Sequence, residues 1–182
     1  MCGGRMRRWV LFGCASLLAG SASAVDGMLL QWGQGDNNTS LVRAGAVWQW
    51  DNQWFDRGDW RLSGYWAAEA GQWRSTNAAG KRKRFTDIGF TPVFRFEQQS
   101  LSAVAPYLEA GIGAHFISPE FNNADRRFST VFQFGDHLGI GARFGERHQF
   151  DLGYRFQHLS NGSIKQPNPG INFSQLNLIY RF

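Results

Sequence analysis

Apolar and polar residues alternate with a period of two along most of the chain. Val42, Ala44, Ala46, Trp48 and Trp50 share one parity, while Arg43, Gly45 and Gln49 take the other. Successive side chains of an extended strand point to opposite faces, so this spacing predicts strands. The same alternation predicts strands at Trp60 to Trp73, Phe85 to Gln98, Val104 to Ser118, Ser129 to Phe144, Arg147 to Gln157 and Ile171 to Phe182. With a weaker first strand near Met28 to Gly33, the count is eight.

The two faces decide what the strands build. The apolar parity is rich in aromatics, and the other carries Arg95, Glu97, Glu109 and Arg155. A soluble sandwich turns its polar positions out to water, whereas an inverted polarity predicts an all-β, eight-stranded antiparallel transmembrane β-barrel of the outer membrane. Closure is what lets strands cross hydrocarbon, because every backbone group is then paired. Eight strands enclose only enough room for side chains, so a filled interior is expected rather than a pore. Gly111, Gly113, Gly139, Gly141 and Gly153 fall on the inward parity, where missing side chains ease a narrow interior. Phe182, Tyr180, Leu178 and Leu176 alternate up to a terminal aromatic, a pattern similar to the sorting signal of bacterial outer-membrane proteins.

The first 24 residues have the layout of an export signal. Arg5, Arg7 and Arg8 supply a positive region, Trp9 to Leu18 a short apolar one, and Ala22-Ser23-Ala24 a small-residue cleavage site. The alternative is a lipoprotein signal at Leu11-Phe12-Gly13-Cys14, where Phe12 fits poorly. Residues 25–182 are then a single barrel domain. Cys2 and Cys14 both lie in the signal, so neither a disulfide nor thiolate chemistry is expected of the mature protein. Loss of the three arginines leaves 16 basic residues against 14 acidic ones, which gives no reason to expect a nucleic-acid partner. No apolar run after residue 24 reaches the roughly 18 residues of a transmembrane helix.

An even number of strands puts both termini in the periplasm and the connections near residues 34–40, 74–84, 119–128 and 161–170 outside the cell. These carry Arg74, Lys81, Arg82, Lys83, Arg84, Arg126, Arg127 and Lys165 against Asp36, Glu120 and Asp125. Such a basic rim suits the phosphates of lipopolysaccharide, and Lys81, Arg82, Lys83, Arg84, Arg126, Arg127 and Lys165 are the candidate phosphate ligands.

Candidate chemistry lies close before this outer end. His158 and Ser160 are two residues apart on the parity of Phe150, Leu152, Tyr154 and Phe156, so imidazole and hydroxyl face outward together. A serine attacks an ester only when a base takes its proton, and histidine is the usual base near neutral pH. Polar groups are costly on a lipid-facing strand, which adds weight to an otherwise common H-x-S triplet. His115 is expected to face the barrel interior, and His137 and His148 lack a complete ligand set, so no metal and no other cofactor is expected.

His158-Leu159-Ser160-Asn161-Gly162 and Pro167-Asn168-Pro169-Gly170-Ile171-Asn172 resemble the lipid A 3-O-deacylases of the PagL family. The resemblance extends to Trp48-x-Trp50-Asp51, Gly64-Tyr65-Trp66, Pro92-Val93-Phe94, Leu108 to Gly113 and Asp136-x-x-Gly139-x-Gly141, nearly the whole mature chain. It implies an eight-stranded outer-membrane barrel that hydrolyses the ester at the 3-position of lipid A and releases a 3-hydroxy fatty acid without a metal; the strand topology above sets the His158 and Ser160 site at the outer leaflet. It also implies Ser160 as nucleophile and His158 as general base, with Asn161 stabilising the oxyanion and Asn168 holding the loop or the intermediate. The family pattern has a glutamate as third member where this chain has Asn172. A hairpin centred near Gln166 would put Asn172 roughly opposite Ser160 and diagonal to His158, where its amide oxygen can accept from the imidazole. Asp136, also outward and near His158, is the alternative acid. Two other functions stay open: a non-catalytic adhesion or integrity barrel, and a Ca²⁺-dependent outer-membrane phospholipase. The barrel is expected to be a monomer, with a homodimer as the alternative.

Overall fold

The computed structural model describes residues 24–55, 58–77, 79–99 and 103–182. Apart from Ala24, the expected export signal lies outside the described residues. The chain forms β1 (Gly27–Gly35), β2 (Thr39–Gln49), β3 (Trp60–Thr76), β4 (Arg82–Gln98), β5 (Val104–Ser118), β6 (Phe132–Phe144), β7 (Phe150–Ser160) and β8 (Ile171–Arg181). Each strand pairs antiparallel with its neighbours in sequence, and β1 pairs with β8 to close the barrel. The connections β1–β2, β3–β4, β5–β6 and β7–β8 gather at one end, called here the loop end. Both termini lie at the other, the turn end.

Several boundaries differ from those the alternation gives. The β3–β4 ladder continues past the apolar face through Arg74↔Arg84, Ser75↔Lys83 and Thr76↔Arg82, so Arg82, Lys83 and Arg84 belong to a projecting hairpin rather than a loop. Backbone pairing needs no apolar partner once a register is running. The β6 strand begins at Phe132 instead of Ser129, because the preceding segment turns inward and buries Phe121 and Phe128 completely. The β7 strand extends to Ser160, which pairs with Phe134.

The interior is filled in two chemically distinct ways. Beneath the loops, Trp73, Phe85, Phe121, Phe128 and Phe173 pack with Leu41, Ile117, Leu159 and Ile171 as an apolar plug. Below it runs a buried ionic network. Arg43 Nε donates to Asp87 Oδ2 at 2.6 Å, and Arg95 donates to Glu109 at 2.8 Å and to Asp151 at 2.6 Å. Arg155 donates to Glu109 and to the Tyr65 hydroxyl. His115, inward as expected, approaches Asp87 Oδ1 at 3.1 Å. Taking these charges out of water is expensive, and the direct pairing of each carboxylate with guanidinium N–H groups offsets that expense.

The outer wall is the inverse. Trp32, Ile88, Ile112, Leu138, Phe156 and Leu178 are among a continuous belt of exposed apolar side chains, far more than a soluble monomer displays. Tryptophans cluster on the β2–β3 side of the turn end, where Trp50 packs edge-on against Phe94 at 4.9 Å and Trp66 stacks on Phe90 at 5.3 Å. Aromatic side chains are enriched where a barrel meets a membrane interface.

Candidate active site

The site is assembled on the outer face where β7, β8 and the β1–β2 turn meet. Strand alternation along β7 points Phe156, His158 and Ser160 outward, and the β7–β8 register sets Asn172 directly opposite His158. This corrects the expectation that Asn172 faces Ser160. The hairpin is centred on residue 165, not 166, and moving the centre by one residue moves the opposing partner by two. His158 Nδ1 and Asn172 Oδ1 are 2.7 Å apart.

What holds the imidazole is equally specific. Gly170 has φ of +67°, a left-handed conformation that L side chains rarely adopt. A Cβ built there would lie 2.6 Å from His158 Cε1 and 2.9 Å from Nε2. The ring edge carrying Nε2 is therefore seated against a backbone position open only to glycine.

Behind Asn172 stands a carboxylate that sequence reasoning did not single out. Asp36 Oδ2 accepts from Asn172 N at 3.1 Å and from Asn172 Nδ2 at 3.2 Å, while Asp36 N donates back to Asn172 O at 3.0 Å. Arg126 completes the row: its Nη2 lies 3.1 Å from Asp36 Oδ2, and its Nη1 donates to Gly170 O. Arg126 thus ties the β5–β6 loop to β8 and the β1–β2 turn.

The remaining candidates fall into two groups. Asn161 is fully buried; its Nδ2 donates to Thr130 Oγ1 and Lys165 O, and its backbone N donates to Asn168 Oδ1 at 3.2 Å. Asn168 Nδ2 donates in turn to Gln133 Oε1 at 2.8 Å. These amides stitch the loop that follows Ser160. Asp136 pairs with His158 across β6–β7 and faces outward, yet makes no hydrogen bond to the imidazole among the described residues. Ser160 is half-buried beside His158, and its hydroxyl is likewise free of a bond to the ring. Lys81 to Arg84 are exposed on β3–β4, which the strand order sets half a circuit from β7–β8. Arg127 and Lys165, also exposed, stand on the loops flanking the site.

A shallow groove of about 610 Å³ opens beside the imidazole, lined by Phe94, Ile112, Leu138 and Phe156 together with Asp136 and His158. The registers put His158, Asp136 and Ile112 in one row and Phe156, Leu138 and Phe94 in the next, nearer the turn end. A wider recess of about 1250 Å³ among Trp48, Trp50, Trp54 and Trp66 lies at the turn end, away from Ser160. The apolar groove suits a fatty-acyl chain, and the Ser-His-amide group, whose imidazole lines the groove, suits attack on an ester.

A family model described as lipid A 3-O-deacylase (PagL) matches residues 41–181. The chain belongs to the PagL family. The lipid A deacylase PagL of Pseudomonas aeruginosa is 32% identical over 163 residues, covering 89% of this chain and 89% of that protein. The lipid A deacylase PagL of Bordetella bronchiseptica is 47% identical over 77 residues, 42% of this chain and 41% of that protein. A crystal structure of the outer membrane enzyme PagL aligns with a TM-score of 0.76 at 28% identity, covering 86% of this chain and 99% of that one. The all-β barrel expected from the alternation is thus the architecture of the PagL family.

Proposed function

We propose that this PagL-family barrel removes the 3-O-linked acyl chain of lipid A by serine-histidine catalysis on its lipid-facing exterior. The observation that carries the reading is the 2.7 Å contact between His158 Nδ1 and Asn172 Oδ1, with Ser160 on the same face and His158 itself lining an apolar groove. An amide oxygen can only accept, so Nδ1 bears the proton and Nε2 is left as the base. Nε2 takes the proton of Ser160 as its oxygen attacks the ester carbonyl. The tetrahedral intermediate collapses, the proton passes to the departing sugar oxygen, and an acyl-serine remains. Water, deprotonated by the same imidazole, releases the 3-hydroxy fatty acid and restores Ser160. Asn161 and Asn168 hold the loop around the oxyanion. The loop end faces the cell exterior, where lipid A resides, and the basic rim meets its phosphates.

The test is mass spectrometry of lipid A from cells expressing the wild type or Ser160→Ala. Loss of one 3-hydroxyacyl chain with the wild type alone is the expected result. Identical lipid A from both would overturn the reading and favour a non-catalytic barrel with lipopolysaccharide-binding loops.

A further inference from the structure

Asn172 bonds two partners of opposite demand. A carboxylate oxygen can only accept, so the Asp36 contact at 3.2 Å requires the amide nitrogen of Asn172 on that side. The amide oxygen is then turned to His158 Nδ1, which must donate. Were Asp36 neutral and able to donate, the amide could rotate by half a turn and present N–H groups to the ring. Nε2 would then carry the proton and could not act as base.

We infer that Asp36 is a positioning residue, resting on the deacylase reading above: it fixes the Asn172 amide and, through it, the histidine tautomer. The anion needed to favour imidazolium is moved one side chain away from the ring. Asp36 sits in the β1–β2 turn with its side chain 31% exposed, so hydration and Arg126 share the stabilisation of its charge. A carboxylate at position 172 itself would lie on the more apolar wall. The arrangement draws on β8, the β1–β2 turn and the β5–β6 loop, and Arg126 joins the loop to the turn through Asp36 and to the residues leading into β8 through Pro169 O and Gly170 O.

The arrangement also makes Asp36 and residue 172 interdependent. Asn172→Glu alone would set two carboxylates against each other at the 3.2 Å contact and should therefore lose activity. Asp36→Asn removes the repulsion and gives the new glutamate a donor. The charge is then relocated rather than lost.

The experiment measures kcat and KM on purified lipid A in detergent for wild type, Asp36→Asn, Asn172→Glu and the double variant, with Ser160→Ala as reference. Heat-modifiable gel migration shows which variants are folded barrels. Asp36→Asn is expected to lower kcat by about 10- to 100-fold with little change in KM, the scale of a hydrogen bond to a charged group. The double variant is expected to recover at least about tenfold over Asn172→Glu, a coupling of the size seen between groups in one network. A folded, fully active Asp36→Asn, or a double variant no better than Asn172→Glu, overturns the positioning role even with Ser160→Ala inactive. Turnover undiminished in Ser160→Ala would overturn the underlying serine mechanism instead. Should Asp36→Asn not fold, the double variant against Asn172→Glu decides alone.

Discussion

Inside the barrel, carboxylates meet guanidinium groups directly; on the outer face, an amide stands between the carboxylate and the imidazole it serves. Glu109, almost fully buried, accepts from both Arg95 and Arg155, and Asp87 from Arg43. Asp36, partly hydrated, reaches His158 only through Asn172. The difference follows from solvent. The interior charges are buried away from bulk solvent, so an anion there needs a counterion close by. The outer site borders both an apolar groove and the aqueous loops, so charge can stay in the loops while a neutral group faces the groove. On the proposed mechanism, stability resides in the first arrangement and reactivity in the second, and substitutions should separate the two.

The largest separation is expected at Ser160. Ser160→Ala should lower kcat by about 10⁴-fold or more, the scale of losing a serine nucleophile, while leaving the denaturant midpoint in lipid or detergent within error of the wild type. A residual activity within tenfold of wild type would show that the outer row is not the reacting centre.

Glu109→Gln should do the reverse. Removing the charge takes from Arg155 its nearest carboxylate and leaves Arg95 to Asp151 alone, and breaking such a buried pair costs about 3–5 kcal/mol. The denaturant midpoint should fall accordingly, whereas the folded fraction should keep near wild-type kcat. A stable Glu109→Gln barrel with impaired turnover would dissolve the division between the two regions.

Gly170→Ala is intermediate, because it acts on the geometry of the outer row alone. The added methyl meets the imidazole edge, and the ring can swing away, so the barrel survives with its base misplaced. A misplacement of about 1 Å can lower turnover by about 10²-fold. The expected outcome is that loss in kcat with unchanged gel migration. Normal turnover would mean that the imidazole does not depend on the left-handed glycine.

Much of this was legible in the sequence because the barrel wall is a two-valued pattern. Lipid outside and side-chain-filled space inside enforce period-two alternation strongly enough to mark all eight strands. His158, Ser160 and Asn172 share the outward parity, which made them findable together. Pairing between distant segments was not legible. Asp36 lies 136 residues from Asn172 and looks like an ordinary turn aspartate before Asn37 and Asn38. Only the β1–β8 closure, which no local pattern encodes, brings it to the site. The β7–β8 register slipped for a related reason, since Pro167, Pro169 and Gly170 mark a turn without marking its centre. Phe121 and Phe128 did carry a signal: two aromatics amid Asn122, Asn123, Asp125 and Arg126 point to a loop that folds back to bury them.

The smallest effect should come from the basic rim, and it distinguishes neighbours of the site from charges that merely share its end of the barrel. Lys165 and Arg127 stand on the loops beside Ser160, whereas Lys81 to Arg84 project from a hairpin half a circuit away. A lipid A molecule whose ester lies at Ser160 can set a phosphate near the first group more readily than near the second. Exposed ion pairs are worth little each, so the Lys165→Ala, Arg127→Ala double variant should raise KM only about two- to fivefold, with kcat unchanged. The increase should shrink at high salt, where wild type also loses the screened attraction. Neutralising Lys81 to Arg84 should change KM less than the Lys165 and Arg127 pair. If it changes KM more, the lipid A headgroup must extend across the barrel mouth, and the division between neighbouring and distant cations would have to be redrawn around the projecting hairpin.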